Sequence, residues 1–236
     1  MAGFKTIEAG TMRIGAAFPN PPFELERDDV DTGFDTELMR AVCGHVGLRW
    51  KLVKYDGADF NGIFAGLRTG DYDAVVSGTA ITPEREKVAL FSEPYLEAPH
   101  GVVVNTTRTP HLSSVDDLVE QIVGIQNGGS SDDVGRQLEA AGTVGDLRAY
   151  PYGALVRMVD DLDAGRIGAF VTLVPTARWL VKERPVLGIA AQLSPPARLA
   201  IAVAPGSVVL RDAVNQALAE GRRSGLLERL ERRWLT

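Results

Sequence analysis

The sequence predicts an α/β protein of two lobes, on three observations: strands alternate with amphipathic helices, the alternation runs twice, and two closing helices follow a last strand-like run. Alternation of this kind implies parallel strands with crossover helices and a ligand crevice at the carboxyl ends of the strands. A chain of 236 residues, 45% of them hydrophobic, can bury a substantial core as one large domain or as two lobes.

Met12 to Phe18 reads as the first strand. Asn20-Pro-Pro-Phe cannot continue it, because two prolines remove ladder donors and fix φ, so a loop leaves the strand end here. After Gly33, the spacing of Phe34, Leu38, Met39, Val42 and Val46 predicts a helix to Gly47, followed by a strand from Trp50 to Tyr55. Phe60, Ile63, Phe64 and Leu67 form the next helical stripe, stopped by Gly70, and Ala74 to Ser77 is a strand. Thr82 is a favourable N-cap and Pro83 suits the first helical position, so Arg85 falls third in a new helix.

Gly101-Val-Val-Val begins the second round. Ser114 with Asp117 makes a capping box, Ile122 to Ile125 is a buried strand, and the polar run Gln126 to Ser131 opens a helix over Asp132 to Ala141. Leu155, Met158, Val159 and Leu162 form a stripe ending at Gly165; Ile167 to Thr172 is a strand, and Pro175 begins a helix. Leu67 to Ser77 parallels Leu162 to Thr172: helix end, glycine stop, strand, terminal hydroxyl. The match fits two similar lobes and fits equally a chance likeness of two α/β segments. Past Ser194-Pro-Pro-Ala, Leu199 to Ala204 is strand-like, and Ser207 and Ser224 are expected to cap two final helices. If these pack back on the first lobe, the chain crosses twice and a cleft with a two-strand hinge results. The expected boundaries are 1–98 for the first lobe, 99–196 for the second and 197–236 for the return to the first.

The balance of 31 acidic against 25 basic residues gives a formal charge of -6 and a pI near 5.2, without blocks of like charge, so a nucleic-acid partner is not expected. No apolar run approaches the roughly 20 residues that span a bilayer, and Met1 to Glu8 lacks the apolar core of a signal peptide. Cys43 is the one cysteine and reads as core; His45, His100 and His111 lack ligand spacing; no metal site, phosphate-cradling loop or nucleophile elbow is legible. No cofactor and no catalytic residue is expected.

Arg85 stands where helix physics favours a carboxylate, since an acid there would gain roughly 0.3–1 kcal/mol from the dipole. An anion held by the guanidinium and nearby backbone N–H groups would account for the cation. Solvated pairing with Glu84, Glu86 or Glu93 would account for it too, and is the reading the local sequence favours while leaving both open.

The run G-D-Y-D-A-V-V-S-G-T-A-I-T-P-E-R-E-K-V-A-L-F-S-E-P-Y, Gly70 to Tyr95, resembles the signature of the extracellular solute-binding proteins of polar amino-acid ABC transporters, solute-binding protein family 3. Ala9-Gly-Thr-Met-Arg-Ile-Gly, Pro21-Pro-Phe-Glu, Gly33-Phe-Asp-Thr-Glu-Leu-Met, Val123-Gly-Ile-Gln-Asn-Gly-Gly-Ser-Ser and the terminal R-S-G-L-L-E-R-L-E-R-R-W-L support it, in order and nearly end to end. The resemblance implies a two-lobed periplasmic-binding-protein-like fold of type II, each lobe a mostly parallel sheet flanked by helices. It implies a monomeric, non-catalytic receptor, in the periplasm or as a cell-surface lipoprotein with its signal sequence outside this chain. Such a receptor captures a small carboxylate-bearing solute in the interlobe cleft and presents it to an ABC permease. It implies that Arg85 is the carboxylate clamp, with donors from the backbone at Gly78 and Thr79, from Gln126 and from the helix N-terminus at Gly128, Gly129, Ser130 and Ser131. Phe18, Phe23 and Tyr152 are then candidate walls of the pocket.

Three departures from the family pattern fall together. Leu173, after Thr172, occupies the usual aspartate that holds an α-ammonium; Ala17 or Phe18 replaces a second carboxylate; Ala80 replaces the usual threonine beside the clamp. Burying an ammonium without a counter-charge is costly. The expectation is therefore an amino-acid-like ligand with a carboxylate and no α-ammonium, unless Glu24 or Glu97 supplies the anion. Two rivals stand beside the receptor: a cyclohexadienyl-dehydratase-like enzyme, whose acid would have to be Glu24 or Glu97, and the ligand-sensing domain of a membrane receptor.

Overall fold

In the computed structural model, which describes residues 5–236, β1 (Thr11–Ala17) runs between two neighbours and is buried along nearly its whole length, which is why its sequence is apolar without alternation. Residues 1–4 of the stretch weighed above as a signal lie outside the described residues. β2 (Leu25–Arg27) and β3 (Val30–Thr32) form a hairpin turned by Asp28 and Asp29, both at positive φ. Short polar side chains tolerate that conformation. α1 (Phe34–His45) follows Gly33, at φ 121°, where a Cβ would stand 2.3 Å from the Phe23 carbonyl oxygen. β4 (Arg49–Tyr55) pairs in parallel with all of β1. The next apolar stripe is a 3-10 turn, Phe60–Phe64, continued by α2 (Ala65–Thr69) and ended by Gly70 in the left-handed region. β5 (Ala74–Val75), α3 (Pro83–Glu86) and β6 (Leu90–Phe91) complete the first round.

The second round comprises β7 (Leu96–Asn105), β8 (Ile122–Gln126), α4 (Ser130–Ala140), β9 (Asp146–Tyr150), α5 (Leu155–Asp163), β10 (Ala169–Leu173), α6 (Val174–Glu183) and the 13-residue β11 (Leu187–Leu199). The chain ends with β12 (Ala202–Val203), α7 (Val208–Arg223) and α8 (Leu226–Trp234). Ser224 does not cap the last helix: it closes α7, and Gly225, at φ 69°, precedes α8. Residues Leu210, Val214, Leu218, Leu227, Leu230 and Trp234 of these helices are buried, as their spacing predicts.

Two compact units result. The first comprises the residues through Gly57, Asn61–Glu97 and Arg198–Thr236; the second comprises Ala58–Phe60 and Ala98–Ala197. Their sheets run β4-β1-β5-β12-β6 and β11-β7-β10-β8-β9. Both are mixed. β1 is parallel to β4 and β5, and β8 to β9 and β10, whereas β12 is antiparallel to β5 and β6, and β7 to β10. The antiparallel strands are those that enter a sheet without a crossover helix of its own. Alternate residues of β7 serve two cores: Val103 packs with Phe170, Met158 and Leu162 on one face, and Val102 and Val104 pack with Val123, Val171 and Leu118 on the other. Among the described residues no helix is long and apolar enough to cross a membrane.

Candidate functional site

In the first unit the candidate residues lie at the carboxyl ends of β1 and β5. Thr82 caps α3 as its sequence predicts, its Oγ1 accepting the Arg85 N–H at 3.3 Å. This places the Arg85 side chain inward, and it is only 4% exposed. Its Nε donates to Asn61 Oδ1 at 3.0 Å, its Nη1 donates to the Ala80 carbonyl at 2.8 Å, and the guanidinium lies 5.4 Å from the Phe64 ring centre. A hydrogen bond from a charged donor contributes roughly 1.5–3 kcal/mol, so these two contacts fix the plane of the fork. Glu84, by contrast, is exposed and lies 3.6 Å from Lys87, so local surface pairing does not explain where the arginine points.

The segment before the clamp is held from beneath. Ser77 Oγ donates to Glu24 Oε2 at 2.9 Å, and Gly78, at φ 53°, donates its N–H to Asp35 Oδ2 at 2.6 Å. Gly78 is thus not the anion donor expected; its N–H serves Asp35. Thr79 and Ala80 are buried beside the returning chain, Ala200 donating to the Thr79 carbonyl and Ile81 to Arg198, both at 2.9 Å. The N–H groups of Thr79 and Ala80 take no part in that bridge.

Three further expectations in this unit change. Phe23 is fully buried, edge-on to Phe34 with ring centres 6.4 Å apart, and a Cβ at Gly78 would touch it at 3.0 Å, so it packs beneath the segment and presents no open wall. Glu24 is also fully buried, with Ser77 and Asn20 Nδ2 (3.2 Å) on its Oε2; burial and the neighbouring Asp35 push its carboxyl well above the usual range. A neutral carboxyl cannot act as counter-charge to an ammonium. Glu97, the other candidate, is solvent-exposed on β7. Phe18 is half-buried, its ring 3.7 Å beneath the Lys54 ammonium.

The second unit gathers its candidates at the ends of β8 and β10 and the start of α4. Gln126 ends β8; Gly129, the residue before α4, donates to the Gln126 carbonyl at 3.2 Å, and Gly128 donates to Asp132 Oδ2 at 3.0 Å. The helix's own first-turn carboxylate therefore takes one of the expected anion donors, and the turn takes another. Ser130 and Ser131 remain at the first helical positions, Ser131 buried. Thr172 and Leu173 close β10, both buried, and Leu173 pairs with His100 across the ladder. His100 is the residue the sequence reading passed over. Its Nε2 stands 2.9 Å from Ser130 Oγ, and burial pushes its imidazole down to about 4, so it is neutral at neutral pH. Its spacing from the other histidines excludes a metal site, and no local signal tells that β7 carries it to the start of α4. Tyr152 tilts against Phe60 at 4.7 Å, its N–H donating to Ala58 at 2.8 Å, while Phe60 donates to Asn127 at 3.1 Å. Among the described residues no three His, Cys, Asp or Glu side chains could together hold a metal ion. Cys43 is buried, its thiol pushed up to about 12.

Comparison with known proteins bears on the family and the fold. The model of the bacterial extracellular solute-binding proteins, family 3, matches residues 12–236. The L-cystine-binding protein TcyJ of Escherichia coli (strain K12) is 30% identical over 234 residues, 98% of this chain and 84% of its own. An ancestral arginine-binding protein bound to arginine superimposes with TM-score 0.86 at 29% identity, over 96% of this chain and 99% of its own. The ancestral amino acid-binding protein AncCDT-1, a precursor of cyclohexadienyl dehydratase, does so with TM-score 0.85 at 27% identity, over 96% of each chain.

Proposed function

Since the chain belongs to the bacterial extracellular solute-binding proteins of family 3, we propose that it captures a small amino-acid-like solute by its carboxylate on Arg85, without requiring an α-ammonium, for delivery to an ABC permease. The observation that carries this reading is the contrast between the oriented, buried guanidinium and the uncharged set Thr172, Leu173, His100 and Ser130 in the second unit. A bidentate carboxylate matches the Arg85 fork. Nothing in the uncharged set compensates an ammonium, and an ammonium buried against leucine and neutral imidazole would sooner lose its proton. Binding is proposed to be the whole activity, in a protein acting outside the cytoplasm as a monomer. The dehydratase alternative needs a proton donor aimed at a leaving hydroxyl. Glu24 is closed off, so prephenate should not yield phenylpyruvate in its presence.

The test is thermal melting against α-amino acids and matched carboxylates lacking the amine. A ligand at 100 times its Kd adds about 2.7 kcal/mol, a shift of several degrees. The expected shift comes from the amine-free carboxylates; a comparable shift with arginine or cystine would return the protein to the ligands named for its relatives and sink the amine-free reading.

A further inference from the structure

Two carboxyl groups of the first unit, Glu24 and Asp35, are wholly buried and interact with each other, and their hydrogen bonds divide in an unusual way. Asp35 reaches Glu24 because α1 begins on the loop before it: the Phe34 N–H donates to the Pro22 carbonyl at 3.0 Å and the Asp35 N–H to the Phe23 carbonyl at 3.1 Å. On Glu24, Oε2 accepts from Ser77 Oγ and Asn20 Nδ2. On Asp35, Oδ2 accepts from the Gly78 N–H at 2.6 Å and from Tyr95 Oη at 2.9 Å. The other oxygen of each, Glu24 Oε1 and Asp35 Oδ1, is buried with no donor. A buried acceptor without a donor is costly, and two anionic ones in contact would cost far more.

We propose that Glu24 and Asp35 share one proton, borne by Glu24 Oε1 and donated to Asp35 Oδ1, and that this pair is the positioning device for the segment Gly78–Ala80 that precedes the Arg85 clamp. One proton satisfies both orphaned oxygens at once. The charge settles on Asp35, whose Oδ2 accepts the short 2.6 Å bond from the Gly78 N–H and one of 2.9 Å from Tyr95, whereas Glu24 Oε2 accepts from Ser77 at 2.9 Å and Asn20 at 3.2 Å. Among the described residues Tyr95 is the other titratable side chain interacting with either group, and burial followed by the Asp35 charge pushes its phenol far up, so it stays a donor. Burial likewise raises both carboxyls, Asp35 to about 7 and Glu24 in the same direction with the Asp35 charge adding to it. The retained charge then holds Gly78 at φ 53°, two residues before the carbonyl that takes Arg85 Nη1. Glu24 and Asp35 are positioning residues: they act on the ligand through Gly78 and Ala80. Only this last step rests on the carboxylate-clamp reading.

The decisive experiment is a double-mutant cycle in thermal melting with E24Q, D35N and E24Q/D35N. With each amide oxygen held by its present donors, either single variant offers an NH2 group where the proton now lies, and its melting temperature should stay within a few degrees of the parent. The double variant sets two NH2 groups face to face, and should lose far more than the sum of the singles. A double variant as stable as the singles would overturn the shared proton. Infrared spectroscopy at about pH 9, above the value of about 7 to which Asp35 is raised, should show a protonated carboxyl band, shifted in deuterium oxide and absent from E24Q; its absence from the parent protein would also overturn it. For positioning, D35A should bind an amine-free carboxylate about tenfold more weakly with Arg85 intact, and D35N, whose amide oxygen can still accept from Gly78, should recover most of that loss; equal binding by D35A would overturn the positioning role. If no carboxylate binds the parent protein, the clamp reading fails, and the melting cycle and the infrared band still decide the proton.

Discussion

The candidate residues of the first unit surround a buried guanidinium and a buried carboxyl, whereas Thr172, Leu173, His100 and Ser130 of the second carry no charge. Arg85 is held inward by a side-chain amide and a carbonyl, above a segment pinned by the Asp35 carboxylate. Thr172, Leu173, His100 and Ser130 offer a hydroxyl, an aliphatic side chain, a neutral imidazole and a second hydroxyl. The difference assigns different tasks. A guanidinium oriented by an amide and a carbonyl selects a planar anion, whereas an uncharged surface rejects a charged group by the cost of its desolvation. In the proposed reading the first unit states what the ligand must carry, and the second what it must lack.

The largest effect should come from removing the demand. Arg85→Ala should weaken carboxylate binding by about 100-fold or more, since it deletes a charge-assisted bidentate contact of roughly 3 kcal/mol. Arg85→Lys should recover only part of this, because a single ammonium cannot reproduce the fork. Calorimetric titration measures both, and an unchanged Kd in Arg85→Ala would move the carboxylate elsewhere and dissolve the contrast. The converse change, Leu173→Asp, puts a carboxylate at the end of β10. Its burial without a partner should lower the melting temperature by a few degrees, at a cost of roughly 1–3 kcal/mol, and an α-amino acid should restore it while the amine-free carboxylate loses affinity. Should Leu173→Asp gain nothing toward amino acids, the second unit's neutrality would not be what sets selectivity.

How much of this the sequence showed follows from the range of the interactions. The start of α3 is written in adjacent letters, Thr82-Pro83, and was legible; so were the buried stripes of α5, α7 and α8, which depend on spacing alone. The 13-residue β11 was not, because Ser194-Pro-Pro-Ala reads as a break and most of the strand is only partly buried, without a clean period of two. The helix expected from Asp132 starts at Ser130, two small polar residues having looked like loop. Asp35 looked like an ordinary first-turn acid of α1, favourable by the dipole. Its burial and its bond to Gly78, 43 residues on, depend on tertiary packing that periodicity does not record. For the same reason Glu24 was open as a cleft anion, and His100 was unread.

His100 provides a smaller and pH-dependent test of the uncharged side. Its folded value, about 4, lies below the unfolded value near 6.5, so the folded state resists taking the proton that the unfolded chain accepts. Stability should be full above pH ~6.5 and fall as the pH drops toward about 4, by up to roughly 3 kcal/mol in total. His100→Gln should flatten that acid limb in denaturant titrations and leave stability above neutral pH nearly unchanged. A persistent slope in the variant would place the acid sensitivity in another group and leave the neutrality of this side unsupported.

The smallest effect separates the two supports of the clamp. Thr82 Oγ1 holds the backbone N–H of Arg85, at a long 3.3 Å and on a helix of four residues, whereas Asn61 and Ala80 hold its side chain. Losing an N-cap costs about 1 kcal/mol, and the long bond favours the low end. Thr82→Ala should therefore lower the melting temperature by a few degrees, Thr82→Ser should not, and carboxylate affinity should change by a few-fold at most. That asymmetry is expected because two bonds to the guanidinium fix its plane even when the helix start loosens. If Thr82→Ala weakened binding as much as Arg85→Ala, the helix start would govern the orientation of the fork, and the demand for a carboxylate would reside in the backbone of α3 rather than in the side chains that grip Arg85.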